Sequence, residues 1–177
     1  MRKILFILAM VVSLSASVAS AQQRCDSHHE DGSGYEHGDR HHRSPYFVSK
    51  NKVFFDGREI KDASASSFSI LRDGYAKDTW SVYYCGTKMD RASSNSFKVL
   101  GFGYAKDTWN VYFDGKKING ASPESFKVLR DGYAKDTWNV YFDAVKIEGA
   151  SPDSFKVLRG GYAKDTWNTY CFGRKID

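Results

Sequence analysis

The sequence predicts an all-β chain of tandem 29-residue β-hairpin repeats stacked into an open, twisted array, and three observations carry that expectation. The hexapeptide Tyr-Ala-Lys-Asp-Thr-Trp recurs at 75–80, 104–109, 133–138 and 162–167, always 29 residues apart. Segments 97–125 and 126–154 differ at six of 29 positions, and a divergent first copy over 46–57 aligns with 75–86 without a gap, making five units. Residues 46–177 also hold 25 of the 27 aromatic residues, which is the apolar surface such small units need. A single unit of this length cannot bury a core alone, so its neighbours must stack on it.

Within a unit the elements read in order. Tyr104, Ala105 and Lys106 suit a short strand, and Val111, Tyr112 and Phe113 a returning strand of β-favouring residues. Between them Asp107, Thr108, Trp109 and Asn110 signal a turn. The Asp carboxylate can bond local backbone, and Asn110 is expected to take the left-handed conformation that closes a three-residue hairpin with a bulge. Ser49 is expected to fill the place of Asp in the first copy. Asp114 and Gly115 then predict a tight reversal into Lys117 and Ile118, although Ala144 replaces the glycine in the next unit. Ser122 before Pro123 in the linking segment reads as an N-cap and first-turn proline, predicting one helical turn. A further short strand begins at the recurring Phe68, Phe97, Phe126 and Phe155, which are assigned to the core. Five hairpins but only four such linking segments favour an open stack; the alternative is a small five-bladed, propeller-like ring.

Two segments precede the repeats. Residues 1–21 run from Arg2 and Lys3 through an apolar stretch beginning at Ile4 to Ala19, Ser20 and Ala21. This is the order of a secretory signal peptide, with cleavage expected after Ala21 and no integral membrane segment thereafter. The expectation is an exported protein, periplasmic or extracellular. Residues 22–45 are rich in His, Asp, Glu, Gly, Ser and Arg, with Tyr35 their one large hydrophobe, so the composition predicts a disordered tail. His28, His29, His37, His41 and His42 are all the histidines of the chain. With Cys25 they could capture zinc, copper or nickel, though their spacing matches no closed site. Their placement also leaves 46–177 without a histidine base or ligand.

The net charge of +5 rests on 26 basic and 21 acidic residues of interspersed sign, which excludes a nucleic-acid-binding stripe. Cys85 and Cys171 stand at different offsets of units three periods apart, too far to pair in an extended array. Cys25 could reach Cys85 or another chain, but no disulfide framework is expected.

The pattern Ser-Phe-Lys-Val-Leu, Tyr-Ala-Lys-Asp, Val-Tyr-Phe/Tyr and Gly-Ala-Ser-Pro over 46–177 resembles the DKNYY repeat family of exported bacterial proteins. The first copy keeps that family's Lys-Asn pair at Lys50 and Asn51, whereas the later copies place Thr-Trp after Asp. The resemblance implies export and repetition and supplies no activity.

The departure supplies the candidate site. Trp80, Trp109, Trp138 and Trp167 fall at hairpin tips, where turn geometry requires no bulky ring. Either they form an exposed stripe suited to a glycan or an envelope protein, or each folds onto the next hairpin and seals the stack. Asp78, Asp107, Asp136 and Asp165 are read as turn caps rather than calcium ligands or acid–base groups. Lys77, Lys106, Lys135 and Lys164 are assigned to a solvated face, and Tyr75, Tyr104, Tyr133 and Tyr162 to a half-buried sheet edge. Catalysis needs unlike groups converging on one place, and these units offer the same few groups repeatedly. The expectation is therefore a non-enzymatic binding or scaffold protein without a cofactor. The alternatives are metal handling through the histidine tail and, least favoured, an exported hydrolase using Asp and Tyr.

Overall fold

A computed structural model describes residues 45–176. The chain divides into two units, Met1–Ser44 and Pro45–Asp177. The expectations for the leader, the tail, Cys25 and the five histidines lie outside the described residues. In the second unit, five antiparallel sheets follow one another, and within each the strands lie in chain order. The first contains β1 (Tyr46–Ser49), β2 (Lys52–Phe55) and β3 (Arg58–Glu59). The second contains β4 (Ser69–Ile70), β5 (Tyr75–Lys77), β6 (Val82–Tyr84) and β7 (Thr87–Lys88). The third contains β8 (Lys98–Gly101), β9 (Tyr104–Lys106), β10 (Val111–Phe113) and β11 (Lys116–Lys117). The fourth contains β12 (Lys127–Val128), β13 (Tyr133–Lys135), β14 (Val140–Phe142) and β15 (Val145–Lys146). The fifth contains β16 (Lys156–Val157), β17 (Tyr162–Lys164), β18 (Thr169–Cys171) and β19 (Arg174–Lys175). The all-β repeat architecture is as expected, and among the described residues no barrel closes. The hairpin β9–β10 pairs Tyr104 with Phe113 and Lys106 with Val111, and the linking strand pairs on its outer side. Each repeat from the second onward is thus a four-stranded meander with the hairpin at its centre.

Two kinds of turn hold a meander. Between β10 and β11, Asp114 and Gly115 both have positive φ, 47° and 73°, the left-handed pair of a type I′ reversal. The same place holds Asp143 and Ala144 in the next unit, where Ala144 is forced to φ 65° with a Cβ that disfavours it. The glycine also clears space: a Cβ on Gly115 would come within 2.7 Å of the Tyr84 ring of the preceding unit. The Thr-Trp turn differs from its expected form. No residue from Asp107 to Asn110 has positive φ, and Asp107 N–H donates to the Asn110 carbonyl at 2.9 Å. Two residues, Thr108 and Trp109, therefore cross between the strands, and Asn110 is not left-handed. In the first unit the left-handed pair is Lys50 (47°) and Asn51 (60°), while Ser49 is exposed and does not cap the turn.

The expected helical turn occurs once, as a short 3-10 segment at Ala65–Ser67. At Ser122 the linker makes turns instead, although its backbone N–H donates to the Asp136 carboxylate at 2.9 Å just as that of Ser64 does to Asp78.

Cores form between consecutive sheets. Tyr104, Val111 and Ile118 of one unit close with Phe126 of the linker on Ala134 and Tyr141 of the next. The linker ring sits between two tyrosines, 5.5 Å from Tyr104 and 5.7 Å from Tyr141. The same triad is built by Tyr75, Phe97 and Tyr112 and by Tyr133, Phe155 and Tyr170. Full burial of each such ring is worth roughly 1.5–3 kcal/mol, so the joint rather than the isolated sheet is the stable unit. Phe97, Phe126 and Phe155 are core as expected, and Phe68 at the first joint is half-buried.

This packing corrects the edge assignment of the first-strand tyrosines. Tyr75, Tyr104 and Tyr133 are fully buried, whereas Tyr162 is 46% exposed. The buried hydroxyls tie one unit to the next. Tyr75 donates to the Gly103 carbonyl at 2.9 Å and accepts from Gly115 N–H at 3.0 Å, and Tyr133 does the same with Gly161 and Gly173. Lys77, Lys106 and Lys135 are also less free than expected, since each ammonium donates to a linker carbonyl, of Ser94, Pro123 and Pro152. Cys85 is disulfide-bonded, so the expectation of no disulfide framework fails there, while Cys171 is a free, half-buried thiol.

Candidate functional site

The tryptophan turns are built around one buried carboxylate each. Asp107 Oδ1 accepts from the backbone N–H of Trp109 at 2.8 Å and of Asn110 at 2.7 Å. Its Oδ2 accepts from Tyr112 Oη at 2.8 Å and from the linker N–H of Ser93 at 2.9 Å. Asp78 repeats this with Trp80, Ser81, Tyr83 and Ser64. Asp136 repeats it with Trp138, Asn139, Tyr141 and Ser122. Asp165 repeats it with Trp167, Asn168, Tyr170 and Ser151. A second lock joins turn to linker, as Ser96, Ser125 and Ser154 hydroxyls accept the N–H of Thr108, Thr137 and Thr166 at 3.1 Å.

Four donated bonds use the four lone-pair directions of a carboxylate, leaving none for a cation. Among the described residues, no group of three or more His, Cys, Asp or Glu side chains is placed to hold a metal. The turn-cap reading of the aspartates stands, with the linker and the tyrosine added to it. Burial pushes the Asp165 carboxyl up, but the bonds from Ser151, Trp167, Tyr170 and Asn168 outweigh it and bring it down to about 2. Asp78 and Asp107 are lowered in the same contest between burial and donated hydrogen bonds. Burial, then the bond and charge of Asp78, push Tyr83 up to about 12; Tyr112 and Tyr141 are raised in the same way. At neutral pH the Asp78–Tyr83 and Asp107–Tyr112 pairs are each a fixed carboxylate and a neutral phenol.

What this element presents is tryptophan. Trp80, Trp109, Trp138 and Trp167 are 76–82% exposed, the most exposed large hydrophobic side chains among the described residues. Their backbone is pinned on both sides while the rings stand in solvent, so they do not seal the stack. Each tryptophan is preceded in its turn by an exposed threonine, Thr79, Thr108, Thr137 or Thr166. Apart from this surface, an open groove of about 510 Å³ is lined by Phe102, Val128, Leu129, Arg130, Phe155 and Val157, with no tryptophan in its wall.

Sequence reasoning did not assign Tyr83, Tyr112, Tyr141 and Tyr170, which hold the carboxylates. The signal available for them was an Asp-to-Tyr spacing of five residues, repeated with the period of the chain.

The family model of the DKNYY family matches residues 46–103. No curated protein and no solved structure matches the chain. No helix among the described residues is long and apolar enough to cross a membrane.

Proposed function

We propose, for a chain whose residues 46–103 match the family model of the DKNYY family, that the repeat array is a non-enzymatic binding scaffold of the cell envelope or the extracellular space, with the four tryptophans as its contact surface. The observation that carries this reading is the exposure of one large aromatic ring at the same pinned turn in four successive units. An exposed indole forfeits the burial that would stabilise the fold, and rings of this kind are the preferred anchors of recognition surfaces. Identical sites repeated along a scaffold suit a ligand of repeating chemistry, because each added contact then raises the effective concentration of the next. A polysaccharide has that property, and the flat ring and the threonine that precedes it offer one face to sugar C–H groups and one donor to sugar oxygens. The order of charged, apolar and small residues in 1–21 supports export. The disulfide at Cys85 fits an oxidising compartment.

The test is the Trp109→Ala/Trp138→Ala double variant. Its unfolding transition should match that of the parent, while retention in polysaccharide affinity gels and capture of envelope proteins are compared. Lost retention with unchanged stability supports the glycan reading, and lost protein capture alone moves the ligand to a protein. Unfolding of the variant would show that the rings belong to the core.

A further inference from the structure

The joints between units follow one pattern that the two outer faces of the array carry in separate halves. In every internal joint the first-strand tyrosine reaches a carbonyl 28 residues ahead and a turn N–H 40 residues ahead, as Tyr46 does with Gly74 and Gly86 and Tyr104 with Gly132 and Ala144. The turn residue receives the neighbour closely: an added Cβ on Gly86 would lie 2.7 Å from Phe55 of the preceding unit.

On the fifth unit the projecting half of this joint is uncovered. Tyr162 is 46% exposed where Tyr75, Tyr104 and Tyr133 are at 0%, and Ile176 is 54% exposed where Ile118 and Ile147 are at 7%. On the first unit the receiving half is open among the described residues. The counterparts of Gly74 and Gly86, one period earlier, are Pro45 and Gly57. Pro45 already accepts from Asp56 N–H at 2.9 Å, the same bond that Gly74 makes with Cys85, so the carbonyl is oriented as in an internal joint. Among the described residues, no atom lies within 4 Å of a Cβ built on Gly57. The receiving face is apolar as well. Phe47, 45% exposed, stands where the second unit has the buried Ala76, which receives Tyr46. The Phe47 ring stacks on Phe54 at 4.9 Å, supplying the aromatic layer that a linker phenylalanine supplies elsewhere.

We infer that two copies of this chain associate head to tail, the Tyr162 face of one stacking on the Gly57 face of the next. Tyr162 Oη then donates to the Pro45 carbonyl and accepts from Gly57 N–H, continuing the internal pattern across the chain boundary. Such a contact is heterologous, so it extends into open chains rather than stopping at a dimer. It also sets the tryptophan turns of successive copies in one longer series. Thr169 and Cys171 replace the Val and Phe of the fourth unit, and no linker phenylalanine enters, so the contact buries less than an internal joint. Association is accordingly expected over about 1 µM to 1 mM, the range of modest interfaces.

Sedimentation velocity of the full mature chain across that range is the test, with Tyr162→Glu and Phe47→Glu as single variants. The wild type should show a mass that climbs with concentration past the dimer. Each variant alone should remain at monomer mass, and an equimolar mixture should form dimers and stop there, because each variant retains the face the other lacks. Circular dichroism checks that both variants are folded, with Ile176→Glu replacing Tyr162→Glu if that variant is not. A wild type that stays monomeric throughout overturns the inference. It is equally overturned by assembly that persists in both variants, by a mixture that does not recover dimers, or by dimers that vanish in Cys171→Ser.

Discussion

The first unit and the four that follow it make the same connection by different means. In both, two residues cross between the strands of the central hairpin. In the first, Lys50 and Asn51 adopt the left-handed conformation themselves, and the backbone alone closes the turn. In the later units Thr and Trp keep ordinary backbone angles, and the turn is closed from outside by a buried carboxylate. The difference follows the linker. Each capping aspartate also accepts a linker N–H, from Ser64, Ser93, Ser122 or Ser151, and among the described residues no such linker packs on β1. The carboxylate is therefore a joint between turn and linker, and the turn residue freed from conformational duty is the one that carries an indole.

Replacing the two equivalent residues should break this comparison most sharply. Asp107→Ala strands the N–H groups of Ser93, Trp109 and Asn110 and the Tyr112 hydroxyl, and should cost about 3–5 kcal/mol. Ser49→Ala, at the exposed equivalent in the first unit, should stay within about 0.5 kcal/mol. Urea denaturation of the two variants reads both; similar losses would mean that the two turns are held alike.

Acid should act through the same groups. Asp78, Asp107 and Asp165 have folded values below the unfolded carboxyl value of about 3.9. A group depressed in the folded state contributes its full stability above the unfolded value and loses it as pH falls through the folded one. Unfolding free energy should therefore hold steady above about pH 5 and drop between about pH 4 and pH 2, and the Asp107→Asn variant should show a shallower fall. A parallel pH profile for the variant would remove the carboxylate from the account.

A smaller effect separates internal units from the fifth. Tyr133→Phe removes a buried hydroxyl that bridges Gly161 and Gly173, at an expected cost of about 1–2 kcal/mol by thermal or urea unfolding. Tyr162→Phe, at the half-exposed end, should leave the stability of the monomer unchanged. The smallest change concerns the second turn: Ala144→Gly relieves a positive φ of 65° and should raise stability by about 0.5–1 kcal/mol, where Gly115→Ala should lower it.

Much of this architecture was legible before any coordinates. The period of 29, the central hairpin, the tight reversal at Asp114 and Gly115 and the capping role of the aspartates all follow from local residue chemistry. What was hidden lies between units. Tyr75 reads as an edge residue within its own unit, because its burial depends on partners at Gly103 and Gly115 that belong to the next. Ser122 before Pro123 reads as a helix cap, whereas its backbone N–H ties the linker to the Asp136 carboxylate, 14 residues on. The orientation of the tryptophans was undecidable for a related reason: near-identical copies repeat an exposed ring and a buried one with equal fidelity. Asn110 misled through composition, since the side chain that substitutes for a left-handed residue is that of Asp107.

The central claim is that carboxylate-pinned turns hold four indoles in solvent, and the tryptophan emission of the folded protein with acrylamide quenching tests it most directly. All four rings occupy one repeated position, so a single spectrum reports one environment. The account expects red-shifted emission, close to that of free indole in water, with quenching nearly as efficient as in the urea-unfolded chain. Blue-shifted emission protected from acrylamide would contradict it, placing the rings inside the stack and removing the proposed contact surface.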